Sequence, residues 1–337
     1  MLKIALLDDY AHAALASADW ERLEGRAELT VFDRHLSPAE AADALAPFDV
    51  LCTIRERMAL PRTLIERLPN LRMITIVGQW LTNLDLEAAT ERGVLVVNSG
   101  LRGPPGGPNI GAATPELAWG LMLATVRDLA RQDRRMRAGL WQDRLGVVLA
   151  GRTLGLLGLG RIGKQMARYA KAFDMDVIAW SQNLTAEAAA VEGAARVDKE
   201  ELFARSDVVS IHLILSERTR GLVTARELRR MKPTAYLINT SRGPIVAESD
   251  LIAALRDGEI AGAGLDVFDA EPPPPDHPFR SMDNVTLSPH LGYATRDTLG
   301  AFYSGALEVI EAYLAGAPIR VTNPEALGRA PRRGSSS

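Results

Sequence analysis

The chain has 337 residues, about twice the usual single-domain length, which favours two domains. Its 47% hydrophobic and 24% charged content excludes bulk disorder, and a formal net charge of -3 leaves no basic excess for a nucleic-acid backbone or an anionic membrane. A lone cysteine, Cys52, forbids an internal disulfide and a thiol-built zinc site, so no metal is expected. No apolar run approaches the ~20 residues of a bilayer span. Residues 1–9 are too short and too soon acidic for a signal peptide, so a cytoplasmic protein is expected.

Short apolar runs then alternate with amphipathic stretches almost from end to end. Residues 4–7, 29–32, Val50–Ile54, Met73–Val77 and 94–97 are strand-length and rich in β-branched side chains, and 39–45, 62–68 and 86–92 carry helical patterns. That βαβ alternation predicts an α/β fold with a parallel sheet covered on both faces. Residues 99–111, SGLRGPPGGPNIG, hold too much Gly and Pro for helix or strand and read as a loop or hinge. Thr114-Pro115-Glu116 reads as an N-cap, a Pro at the first helical position and an acid in the first turn. It predicts a helix to about Ala138, with Leu117, Leu121, Ala124, Leu129 and Met136 on its apolar side. A second alternating series follows at Thr153–Leu157, 177–180, 208–213, 235–239, 263–267 and Val285–Leu287. A last amphipathic helix covers roughly 295–314, and the tail 329–337 has no apolar content and should fray.

Gly158-Leu-Gly160-Arg161-Ile162-Gly163 matches G-x-G-x-x-G. The strand 153–157 runs into it, and a helix with apolar residues at Ile162, Met166, Tyr169 and Phe173 leaves it. Gly158 would permit the tight turn, Gly160 the approach of backbone to a pyrophosphate, and Gly163 the packing of helix on strand. The helix N-terminus then offers unpaired N–H groups to the anion. The acid expected at the end of the next strand is replaced by Ser181, followed by Gln182 and Asn183. No carboxylate there would repel a 2′-phosphate, so the cofactor is NAD or NADP, leaning to NADP. No arginine follows directly to bind that phosphate bidentately, and Arg161 is the nearest candidate.

Three later segments bring chemistry to strand ends: Asn239-Thr240-Ser241-Arg242-Gly243, Asp266-Val-Phe-Asp269-Ala-Glu271-Pro272, and Ser288-Pro-His290-Leu-Gly292-Tyr293. Ligands of open α/β sheets bind at that edge, and an arginine, a carboxylate and a histidine converging there form an active-site pattern. With these segments the chain resembles the D-isomer-specific 2-hydroxyacid dehydrogenases, a family that includes phosphoglycerate dehydrogenases and glyoxylate/hydroxypyruvate reductases. The likeness runs from about Ile4 to Asn323 and is most specific in GLGRIG, INTSRG, GAGLDVFDAEP and SPHLGY.

The resemblance implies two Rossmann-like or flavodoxin-like lobes with the active site in the cleft between them. Residues 1–110 plus 301–330 would form the substrate lobe and 111–300 the cofactor lobe, with a homodimer formed through the latter. Arg242 would hold the α-carboxylate and carbonyl oxygen of a 2-oxo acid with its planar fork. His290 would exchange a proton with that oxygen, since histidine titrates near pH ~6.5. Glu271 would hold the opposite ring nitrogen and favour the imidazolium. Asp266 matches the family position near the nicotinamide carboxamide, Gly292 is a further cofactor-binding candidate, and Thr240 and Ser241 match cofactor-contacting backbone. Backbone N–H groups of Val77 and Gly78 would meet the substrate carboxylate, and Arg55 matches a substrate-facing arginine. Trp80, beside them, would narrow or cap the pocket. His12 and His35 read as surface groups, His212 as a strand-end residue near the cofactor, and His277 as a loop residue. The expected function is hydride transfer between NAD(P) and a small 2-oxo or D-2-hydroxy acid. The rival is a dehydrogenase-fold NAD(H)-sensing regulatory protein of the corepressor kind, which would keep the same three residues. A formate dehydrogenase fits worse, because the flanks of His290 differ from that pattern.

Overall fold

The computed structural model describes residues 1–78, 83–100, 103 and 106–329. Trp80 and the tail beyond 329 lie outside the described residues. The chain divides into two compact units, Met1–Ile110 with Thr295–Ser337, and Gly111–Ala294. The second crossing falls at the N-cap of the last helix instead of inside it at 300/301. Thr295 caps that helix, Arg296–Leu314, and the helix packs as one piece on the first unit's sheet.

The first unit is a five-stranded, all-parallel sheet. Its strands are β1 (Leu2–Leu6), β2 (Ala27–Val31), β3 (Val50–Ile54), β4 (Met73–Val77) and β5 (Leu95–Asn98), in the order β2-β1-β3-β4-β5. β3 and β4 are buried along their whole length, which is why they read as continuous apolar runs without alternation. Helices α1 (Pro38–Leu45), α2 (Arg62–Ile65) and α3 (Leu86–Glu91) connect them. Ser37 and Glu40 form a capping box at the start of α1. The order reverses between β1 and β3, so their C-terminal ends flank a switch point. There the Arg57 guanidinium donates to the Asp8 carbonyl over 2.7 Å.

In the second unit α4 (Ala113–Val126) and α5 (Leu129–Arg137) replace the single helix predicted from Thr114 to Ala138. Asp128 takes a left-handed φ of 56°, and Val147 N–H, arriving from the next segment, donates to the Val126 carbonyl over 3.0 Å. Leu129 and Met136, expected on the apolar side, are instead exposed. A seven-stranded parallel sheet follows: β6 (Thr153–Leu157), β7 (Asp176–Trp180), β8 (Ala195–Arg196), β9 (Val208–Ile211), β10 (Tyr236–Asn239), β11 (Gly262–Leu265) and β12 (Val285–Leu287). Its order is β12-β11-β10-β9-β6-β7-β8. Alternate side chains feed two cores, one per face: Leu156 and Ile238 join Trp119 and Met166, while Leu157 and Leu237 join Phe203 and Leu251. Helices α6 (Arg161–Ala172), α7 (Ala186–Val191), α8 (Lys199–Arg205), α9 (Ala225–Leu228) and α10 (Glu248–Arg256) link the strands. The order reverses between β6 and β9, which places the glycine-rich turn after β6 at this sheet's switch point. No helix among the described residues is long and apolar enough to cross a membrane.

Candidate active site

Each glycine of the fingerprint meets a distinct steric demand. Gly158 has φ 107°, and a Cβ there would lie 2.6 Å from the carbonyl oxygen of His212, just past β9. Gly163 packs so closely that its Cβ would meet the Gly158 carbonyl at 2.1 Å. Gly160 caps α6, and among the described residues nothing beyond its chain neighbours lies within 4 Å of where its Cβ would point. The open backbone at the start of a three-turn helix fits a dinucleotide phosphate. Thr240 Oγ1, just past β10, is a second polar group left for a cofactor, buried with no hydrogen-bond partner among the described residues. Arg161 extends away to donate to the Gly111 carbonyl over 2.6 Å, which ties the fingerprint to the start of the unit. The Ser241 hydroxyl donates to the Leu213 carbonyl. His212 contacts the Ser210 hydroxyl at 2.9 Å, and burial pushes its pKa down to about 3, so its ring is neutral.

Arg242 stands at the end of β10, in a turn clamped by a residue that the motif reading passed over. Asn239 Nδ2 donates to the Arg242 carbonyl over 3.0 Å, and Asn239 Oδ1 accepts from Ser241 N–H at 3.0 Å. Arg242 Nη1 donates to the Ser241 carbonyl. The adjoining Gly243 lies against the turn 268–271, where its Cβ would strike the Phe268 carbonyl carbon at 2.1 Å. Only a glycine lets these two segments meet.

That second turn carries Glu271. One carboxylate oxygen accepts from Phe268 N–H at 2.9 Å, and the other accepts from His290 Nδ1 at 2.5 Å. Because the acceptor is a carboxylate, Nδ1 carries the hydrogen, and Nε2 makes no hydrogen bond among the described residues. His290 itself sits at φ 53°, a left-handed conformation that needs support from its surroundings. Asp266 provides it. The fully buried Asp266 carboxylate accepts from Ser288 Oγ at 2.6 Å, Leu291 N–H at 2.7 Å and Gly292 N–H at 2.9 Å. The Asp266 carbonyl takes His290 N–H at 2.9 Å. Burial raises the Asp266 pKa, against the pull of these donors and of the His290 charge. Asp266 and Gly292 are therefore joined to each other in holding the histidine loop. Ser288 was invisible as a site residue, since only the fold brings its hydroxyl to Asp266.

In the first unit, Arg55 (φ 46°) and Gly78 (φ 117°) come together at the ends of β3 and β4. A Cβ on Gly78 would lie 3.3 Å from Arg55 Cγ. The Gly78 N–H, expected to face a substrate carboxylate, instead donates to the buried Ser99 hydroxyl over 2.8 Å. His12 is exposed beside Asp33, and His35 lies 3.6 Å from the buried Asp8 carboxylate.

The family model for the D-isomer specific 2-hydroxyacid dehydrogenase NAD-binding domain matches residues 119–292. A glyoxylate reductase from Aeropyrum pernix is 39% identical over 304 residues, covering 87% of this chain and 87% of its own. A hydroxypyruvate reductase from Thermotoga maritima is 36% identical over 279 residues, 82% of this chain and 88% of its own. A crystal structure of a phosphoglycerate oxidoreductase from Vibrio cholerae superposes with a TM-score of 0.86 at 34% identity, covering 94% of this chain and 100% of the other.

Proposed function

The chain belongs to the D-isomer specific 2-hydroxyacid dehydrogenases, NAD(P)-dependent oxidoreductases of 2-oxo and 2-hydroxy acids, and on that premise we propose that it reduces a small 2-oxo acid through His290, Glu271 and Arg242. The observation that carries the residue assignment is the His290 ring, fixed at Nδ1 by Glu271 and with no hydrogen bond at Nε2 among the described residues.

A bound nicotinamide cofactor supplies the hydride in reduction and receives it in oxidation. His290 Nε2 gives its proton to the carbonyl oxygen as that oxygen gains charge, and takes it back in the reverse direction. Glu271 keeps the hydrogen on Nδ1 and offsets the charge of the doubly protonated ring. Arg242 holds the substrate carboxylate in a bidentate pair, fixing the carbonyl for attack on one face. Gly158, Gly160, Arg161, Ile162 and Gly163 would hold the cofactor phosphates, and Thr240 and Ser241 the nicotinamide end. Asp266 and Gly292 act there through the His290 loop. Arg55 and Val77 are the first unit's proposed substrate contacts. The names of the two reductases above make glyoxylate and hydroxypyruvate the first substrates to try. A cytoplasmic location, where a nicotinamide pool is available, is part of the proposal.

NADP is the proposed cofactor, because Ser181 follows β7 where a carboxylate would reject a 2′-phosphate. Ser181→Asp should raise the ratio of kcat/KM for NADH over NADPH at least ~10-fold. An unchanged ratio would remove Ser181 from the ribose site. A homodimer is proposed through α5 and the segment behind it. There Leu129, Met136, Leu140, Trp141, Leu145 and Val148 are exposed, an apolar surface that a second copy would cover.

The deciding experiment is turnover of glyoxylate, hydroxypyruvate, pyruvate, phenylpyruvate and 3-phosphohydroxypyruvate by the purified protein with NADH and with NADPH. Turnover of a small 2-oxo acid is expected. Tight cofactor binding without turnover of any of the five would overturn the reading.

A further inference from the structure

Two facts converge at the exposed edge of the second sheet. The residues after β7 form a turn in which Leu184 N–H donates to the Ser181 carbonyl over 3.1 Å. The side chains of Ser181, Gln182 and Asn183 in this turn make no hydrogen bond among the described residues. The neighbouring strand, β8, is only two residues long and pairs Ala179 with Arg196. That register carries the Arg196 side chain to the turn, where its Nε donates to the Leu184 carbonyl over 3.2 Å. Nη1 lies 3.5 Å from Asp198, whose side chain is 75% exposed, and neither Nη makes a hydrogen bond among the described residues. An exposed pair of this kind contributes little and yields readily to a stronger anion.

We propose that Arg196 is the cation of a 2′-phosphate subsite at this turn and so a determinant of cofactor specificity. The proposal rests on the NADP reading above and supplies what the sequence lacked, an arginine near Ser181. A phosphate monoester dianion asks for several donors and a guanidinium fork. The hydroxyl of Ser181 and the amides of Gln182 and Asn183 supply the first, and the Nη edge of Arg196 the second. Nε, bound to the turn's own backbone, orients that edge.

The test is calorimetric binding of adenosine 2′,5′-bisphosphate and of adenosine 5′-monophosphate to the full-length protein. The two probes differ only in the 2′-phosphate and need no catalysis. Wild type should bind the bisphosphate the more tightly. Arg196→Ala should weaken the bisphosphate at least ~10-fold while the monophosphate moves little, and Arg196→Lys, which keeps charge without the fork, should fall between. An equal loss for both probes would make Arg196 a brace for the turn and overturn the proposal. An unchanged bisphosphate affinity in both variants would also overturn it, while a wild-type preference for that probe would leave the NADP reading standing. Equal binding of the two probes by wild type would instead refute the NADP reading itself, and the subsite with it. Should Arg196→Ala fail to fold, the lysine variant and Arg196→Gln carry the same comparison.

Discussion

Two histidine–glutamate pairs lie in the second unit, His290 with Glu271 and His277 with Glu248, and they differ in what the second ring nitrogen does. His277 Nε2 meets Glu248 at 3.0 Å, and its Nδ1 accepts from Phe279 N–H at 3.3 Å. Its ring is wedged between Phe268 and Phe279, and its side chain is 10% exposed. Both nitrogens are committed, so the ring braces the loop behind the acid-bearing turn. Glu248 also accepts from Asp269 N–H at 3.3 Å, which ties the same turn down. His290 has one nitrogen committed and its side chain is 20% exposed. A proton-transferring imidazole needs that asymmetry: one nitrogen held, the other open. A nearby carboxylate is common to both pairs and does not distinguish them. Asp269, the acid two residues before Glu271, has its pKa raised by burial and by Glu248, and no ion pair joins it to His290 among the described residues.

Substituting the two histidines alike should break them apart. His290→Gln should lower kcat by about 10²–10⁴-fold, the usual share of a positioned acid–base group. His277→Gln should leave kcat nearly intact and instead cost about 1–3 kcal/mol of stability, read as a lower Tm, by stranding its buried partners. Equal loss of kcat in both would erase the distinction. Arg242 extends the contrast to a group that binds without titrating. Arg242→Lys keeps the charge and loses the fork, so kcat/KM for the 2-oxo acid should fall about 10²-fold, through both constants, with cofactor affinity little changed. Normal steady-state kinetics would take Arg242 out of the site.

His212 sharpens the comparison from a third side, as a half-buried ring that no ion pair joins to a carboxylate among the described residues. Its folded-state pKa, about 3, lies below that of an unfolded chain. Neutral His212 therefore contributes stability that is present above pH ~6.5 and lost as pH falls toward 3. His212→Asn should flatten the fall of Tm over that window relative to wild type. A steeper fall in the variant would contradict the shift. This is the smallest effect, since many carboxylates also titrate there.

Much of this was legible in the sequence, and the exceptions share a cause. Val50–Ile54, Met73–Val77 and Thr153–Leu157 stood out because central strands of parallel sheets are apolar throughout. The break before Leu129 was not legible, because it depends on a hydrogen bond from Val147 and on Gly146, whose Cβ would lie 2.7 Å from Arg127 Cα. β8 escaped notice because two exposed edge residues carry no periodicity. At the site, Arg242, Glu271 and His290 were visible as chemistry beside strand ends. Asn239, Ser288 and Glu248 were not, for their roles come from partners that only the fold brings near. Gly78 shows the reverse failure, a backbone N–H assigned outward that Ser99 takes inward.

The pairing of His290 with Glu271 is tested most directly by a double-mutant cycle, with the rate of the chemical step followed under single-turnover conditions with saturating cofactor. Glu271→Gln alone should slow reduction roughly 10- to 10²-fold, within the range of coupling between groups in contact. Placed on His290→Gln, the same substitution should cost almost nothing, because Glu271 acts only through the ring it holds. If Glu271→Gln instead slows the His290→Gln enzyme by as much as it slows wild type, the two residues act independently and the pair at 2.5 Å is not the proton-transfer unit.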